Sequence, residues 1–178
     1  MAVAAVIALV VVLAIRSGGS TTDNQSANAA ATTAAPAEAP TTAPAAKFPP
    51  VPDGADPALS TKPEAKAGSG TLTKLNVTTL IEGKGPATQS GHQITVNYVG
   101  VTYADGKEFD ASWNHQQAFP FTLGTGSVIP GWDQGLVGVK VGSRVQLDIP
   151  SSMAYGDNPG GGRPAGALRF IVDVLAAS

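Results

Sequence analysis

No cysteine occurs in the 178 residues, and histidine occurs only twice, as His92 and His115. The first absence excludes disulfides and thiol catalysis. The histidines have no helical i, i+4 spacing and no companion thiols, so no metal site is expected. Charge is sparse: 13% of the residues are charged, and the net charge is −2. Nothing therefore points to a nucleic-acid surface, and no nucleic-acid partner is expected. The chain shows no nucleophile–base pair and no paired carboxylates. It also lacks a G-x-x-x-x-G-K-[ST] phosphate loop, and no cofactor is expected.

Three stretches of different composition follow one another. Ala2 to Ile15 is an unbroken apolar run, shorter than the roughly 20 residues of a spanning helix and suited to a signal-peptide core. No basic residues precede it, which suggests a start codon further upstream. Ala27-Asn28-Ala29 resembles a small-x-small cleavage site but lies well past the run. Residues 1–16 are therefore expected to be an uncleaved signal anchor, or alternatively a cleaved signal peptide. A buried core helix is a third reading. Residues 17–70 are dominated by Ala, Thr, Pro, Ser and Gly. Such a segment buries too little apolar area to offset its chain entropy, and a disordered linker is expected. Phe48-Pro49-Pro50-Val51-Pro52 is expected to adopt polyproline II within it.

Residues 71–178 carry β patterning. Leu72 to Ile81 predicts one or two strands. Gln93 to Tyr103 alternates, with Ile94, Val96 and Tyr98 on one face. Ala104-Asp105-Gly106-Lys107 signals a hairpin turn, with a short return strand at Lys107 to Asp110. Ala111 to Ala118 reads as irregular, with Trp113 either covering a pocket rim or exposed. Phe119 to Leu123 is a strand whose Pro120 indicates an edge or bulge. Ser143 to Ile149 sets Val145, Leu147 and Ile149 against Arg144, Gln146 and Asp148, the pattern of a half-buried strand. Pro150 to Gly166 is a Gly/Pro-rich loop, and Ala167 to Leu175 is the last strand. Between them, Val128 to Val137 reads as one short helix. Pro130 suits its first turn, Asp133 complements its dipole, and Gly135 and Gly138 limit its length. The expected fold is α+β, with about five antiparallel strands half-wrapped around one short helix.

Val128-Ile129-Pro130-Gly131-Trp132 stands in register with four other motifs: Val96-Asn97-Tyr98-Val99-Gly100, Asp105-Gly106-Lys107-Glu108-Phe109-Asp110, Phe119-Pro120-Phe121-Thr122-Leu123-Gly124 and Ala154-Tyr155-Gly156. In residue type and order these resemble the FKBP-type, macrolide-binding peptidyl-prolyl cis-trans isomerases over roughly residues 71–178. The resemblance implies that fold, and it implies rotation about X-Pro bonds in a non-covalent apolar pocket. By the same resemblance Trp132 is the floor under the substrate proline. Tyr98, Phe109, Val128, Ile129 and Phe170 are its walls, and Phe119 extends them. The Tyr155 hydroxyl and the Ile129 N–H bond substrate carbonyls, while Asp110 accepts a hydrogen bond near the twisting amide.

The residues alone leave other readings open. These aromatics could be the core of a small domain, and Asp110 could be a turn residue. Met153 stands where relatives often have an aromatic. The loop Asp157 to Pro164 has Gly161 and Gly162 where relatives place bulky aliphatic residues, which counts against tight binding of macrolides such as rapamycin. The expected partners are proline-containing unfolded or exported polypeptides, and the membrane through residues 2–15 if that run is uncleaved. The N-terminal segment lacks the helical pattern of dimerising relatives, so a monomer is expected. The expected location is the extracytoplasmic envelope. A non-catalytic proline-peptide or partner-binding module, or an envelope structural protein, are the alternatives to an isomerase.

Overall fold

A computed structural model describes residues 48–178. The expected signal segment and the linker up to residue 47 lie outside the described residues. Six strands form one antiparallel sheet: β1 (Asn76–Ile81), β2 (Gln93–Thr102), β3 (Glu108–Ala111), β4 (Phe119–Thr122), β5 (Arg144–Ile149) and β6 (Leu168–Ala177). The order is β1-β5-β6-β2-β3, and β4 also pairs with β2. The ten-residue β2 therefore carries two short strands along one edge. Val96 faces Phe119 of β4, and Gly100 faces Asp110 of β3. Pro120 sits in β4, an outer strand, where its missing N–H breaks no ladder. The six strands fall in the six segments read as strands from the sequence, against an expected count of about five.

The helix α2 (Pro130–Gly135) is shorter at both ends than the expected Val128 to Val137, and Pro130 stands in its first turn as expected. It lies across the face of β5, and two glycines make that approach possible. A Cβ on Gly131 would stand 2.4 Å from Ile149 Cγ2, and one on Gly135 would stand 2.9 Å from Leu147 Cδ2. Gly135 thus acts through contact as well as through helix length. The core between helix and sheet contains Trp132 and Leu136 from the helix side, Ile94 and Val96 from β2, and Leu147 and Val172 from β5 and β6. Asp133 does more than complement the helix dipole. Its carboxylate accepts the N–H groups of Gly124 (2.8 Å) and Gly126 (2.7 Å), which ties the preceding loop to α2.

Four expectations are corrected. A second helical turn, α1 (Ser112–His115), occupies part of the stretch read as irregular. Its start is fixed by the Ser112 hydroxyl, which accepts the Tyr98 N–H at 2.9 Å. The linker does not extend to Gly70, because residues 48–70 pack along the outer face of the sheet. There Leu59 is fully buried, and Ala65 packs with Trp113 on Val99, Val101 and Ala111. Main-chain carbonyls hold this strap: Thr61 O accepts from Arg144, and Lys66 O and Ala67 O accept from Arg169, each at 3.0 Å. Composition counts apolar side chains and so misses a segment anchored by its backbone. Nor does Phe48 to Pro52 run as polyproline II, since the Val51 N–H closes onto Pro49 O at 2.9 Å.

The strap also explains the fourth correction. The polar face of β5 is not open to water. Arg144 and Asp148 are buried beneath the strap and paired across the sheet with Asp173 and Arg169, each through a 2.6 Å contact.

Candidate active site

Four strands and a helix deliver aromatic side chains to one place. Trp132 stands at the start of α2 and is only 4% exposed. Its ring centroid lies 5.4 Å from Tyr98 of β2, 6.3 Å from Phe119 and 5.6 Å from Phe121 of β4, and 5.3 Å from Phe170 of β6. The Tyr98, Phe119 and Phe170 contacts are edge-to-face, with interplanar angles of 77°, 77° and 86°. That arrangement suits ring quadrupoles. Phe109 joins through Phe170 at 5.5 Å. Gly100 makes this pair possible, because a Cβ there would stand 2.7 Å from both Phe109 Cζ and Phe170 Cε1. Val128 and Ile129, just ahead of the helix, are half-buried against the same cluster.

The polar groups are few. The Tyr98 hydroxyl donates to Asp110 Oδ2 at 2.6 Å, so Asp110 is bound into the site from β3 and is not merely a turn residue. Burial first, and the Asp110 hydrogen bond second, push the Tyr98 phenol far above its usual value, so it stays a neutral donor. His115 Nε2 reaches Asp110 Oδ1 at 3.3 Å from α1. Among the described residues the Trp132 indole N–H has no protein partner, and the Ile129 N–H donates to no carbonyl. Tyr155 lies further out and is 36% exposed. Burial raises its phenol pKa, against the pull of nearby Arg163.

The predicted residues Tyr98, Phe109, Phe119, Trp132 and Phe170 thus form one linked set of rings, with Asp110 bonded to Tyr98. Val128 and Ile129 border it, and Tyr155 stands at its outer end. Trp113 is neither a rim residue nor exposed: it packs on the opposite face of the sheet, edge-on to Phe48 at 5.2 Å. Sequence reading missed Phe121, Gly100, His115 and Arg163. The i+5 spacing of His115 from Asp110 across one helical turn is the signal that could have found it. Gly161 and Gly162 sit at φ of 72° and 75°, with no atom near a would-be Cβ, so this loop adds no aliphatic wall.

An aromatic cluster, buried at Trp132 and Phe170 and exposed at Phe119 and Tyr155, with one bound carboxylate and spare N–H donors, has no group to break a covalent bond. It can bind a compact apolar ring and the amide attached to it, which defines a proline-directed binding or rotamase site. A family model described as FKBP-type peptidyl-prolyl cis-trans isomerase matches residues 85–175. An FK506-binding protein of Streptomyces anulatus is 48% identical over 105 residues, covering 57% of this chain and 85% of that protein. A probable FK506-binding protein of Corynebacterium glutamicum is 41% identical over 105 residues, covering 58% and 86%. Among solved structures, AtFKBP13 aligns with a TM-score of 0.54 at 32% identity, covering 58% of this chain and 93% of that one. FkpA from Escherichia coli aligns at the same TM-score of 0.54 and 35% identity, covering 67% and 54%. The chain belongs to the FKBP-type peptidyl-prolyl cis-trans isomerase family, and its enzymatic class is that of an X-Pro isomerase.

Proposed function

We propose that the substrate proline ring packs on Trp132 between Tyr98, Phe109, Val128, Ile129 and Phe170, with Phe119 lengthening one wall. The Ile129 N–H and the Tyr155 hydroxyl hold the flanking carbonyls, and Asp110, fixed by Tyr98, faces the rotating amide. Rotation needs no bond cleavage, only loss of amide resonance against a barrier of about 18–20 kcal/mol. The twisted amide is less dipolar than the planar one. A dry apolar cleft therefore destabilises the ground state relative to the transition state. A 10⁴-fold acceleration requires only about 5.5 kcal/mol. The observation that carries this reading is the ring cluster around Trp132, with the Tyr98–Asp110 bond at its edge.

The test is NMR exchange spectroscopy on an Ala-Leu-Pro-Phe peptide with substoichiometric full-length protein. Cis and trans signals should enter exchange, and Trp132→Ala or Phe109→Ala should abolish it. Binding without exchange would sink the mechanism.

The working place of the enzyme is also part of this proposal. The apolar run at Ala2 to Ile15 and the Ala/Thr/Pro-rich stretch after it support an envelope isomerase that speeds slow X-Pro steps in exported polypeptides. Among the described residues no helix is long and apolar enough to cross a membrane. Cell fractionation checks the assignment; recovery in the cytosolic fraction would end it. The bare Gly161–Gly162 loop supports weak macrolide binding, and an FK506 affinity as tight as that of the Streptomyces FK506-binding protein would contradict that.

A further inference from the structure

We propose that Arg163 gives this isomerase a preference for an acidic residue flanking the X-Pro bond it turns. The inference rests on the cleft described above, with Tyr155 at its outer end. The guanidinium carbon of Arg163 lies 5.6 Å from the centroid of the Tyr155 ring. The cation thus sits over the Tyr155 ring, the geometry of a cation–π contact. Arg163 is itself exposed, so its charge faces whatever enters past Tyr155.

The loop also carries Asp157, which could cancel that charge, but no salt bridge joins the two among the described residues. Asp157 lines a separate concavity of about 510 Å³, together with Tyr103, Ser151 and Ala167. Inside the cleft, the Asp110 carboxylate accepts from Tyr98 and contacts His115, and its charge bears on Tyr155 less strongly than that of Arg163. The remaining ring–cation contact among the described residues, Arg169 over Tyr103, lies outside the cleft, and Arg169 is paired with Asp148. Arg163 is therefore the cation available to a client at this end. A glutamate side chain passing at about 6 Å in a solvent-like dielectric gains about threefold in affinity, and a lysine loses about as much.

The test compares kcat/KM of the full chain, by exchange spectroscopy, on Ala-Leu-Pro-Phe peptides flanked by Glu, Gln or Lys on either side. The wild-type Glu-to-Lys ratio should approach about tenfold on one side of the proline. It should persist in Arg163→Lys, fall to about one in Arg163→Gln, and invert in Arg163→Glu. Roughly 0.5 M salt should shrink it. A loss of packing alone would lower all three peptides together and leave the ratio unmoved. A wild-type ratio near one, or a ratio unchanged in Arg163→Gln and Arg163→Glu, overturns the assignment. Failure to turn over the Gln-flanked peptide would instead overturn the isomerase reading of the cleft.

Discussion

Gly131 and Gly135 both touch β5, yet replacing them with alanine should have unequal effects. Alanine gains about 1 kcal/mol over glycine inside a helix. At Gly131 the new methyl would meet Ile149 at 2.4 Å (Cγ2), 2.7 Å (Cδ1) and 2.9 Å (Cγ1). Ile149 is fully buried, and its branched Cβ cannot swing aside without moving into occupied core. Overpacking of this kind costs about 1–3 kcal/mol, and a helix lifted off the sheet adds to it. A net loss of about 1–2 kcal/mol is expected for Gly131→Ala. At Gly135 the nearest atom is Leu147 Cδ2 at 2.9 Å, the far end of a flexible side chain. A rotamer adjustment of about 0.5–1.5 kcal/mol there roughly cancels the helix gain. Urea unfolding of the full chain measures both variants. Because Trp132 follows Gly131 directly, Gly131→Ala should also reduce turnover, and Gly135→Ala should not. A Gly131→Ala protein as stable as wild type, or a Gly135→Ala protein clearly worse than it, would refute the close-packing account of α2.

Asp133→Ala removes two charge-assisted bonds to the Gly124 and Gly126 amides. It should cost about 2–3 kcal/mol and speed hydrogen exchange of those amides in particular. Arg144→Met should cost about 3–5 kcal/mol by stranding Asp173. Burial raises the Asp173 pKa and Arg144 lowers it; without Arg144 the rise is larger. Between the unfolded value of about 3.9 and the raised folded value, the native state binds more protons than the unfolded chain. The variant's stability should therefore fall as pH rises through that window, so its deficit against wild type should narrow on acidification; a deficit that widens there would contradict this sign. A protein beginning at Thr71 should be less stable than one beginning at Ala45 by about 3–5 kcal/mol. It loses the burial of Leu59 and the strap carbonyls that accept from Arg144 and Arg169, and denaturant midpoints decide it.

The features that could be read from sequence were local ones. Alternation around Tyr98, the Asp105-Gly106 turn and the Pro130 helix start each declare themselves within a few residues, and the strands follow from them. The ring cluster was legible because its members sit inside those local patterns. The remaining features depend on register and on close approach. Arg144 and Asp148 alternate like a solvent face, and only their positions opposite Asp173 and Arg169 on β6 show them to be a buried ion-pair layer. Gly100 and Gly131 resemble any other glycine until a phenylalanine pair and an isoleucine stand where their Cβ atoms would be. The strap was misread for the same reason, since its anchors are carbonyl oxygens, which every residue has.

The shared edge of β2 makes the width of the cleft a property of the backbone. The strand holding Phe109 and Asp110 and the strand holding Phe119 hang from the same rail, at Gly100 and at Val96. Four residues of extended chain separate those points, about 13 Å. Both walls are thus held by backbone pairing to one continuous strand. The spacing of the two aromatic walls is then set by strand pairing and register on β2, with Tyr98 standing between them.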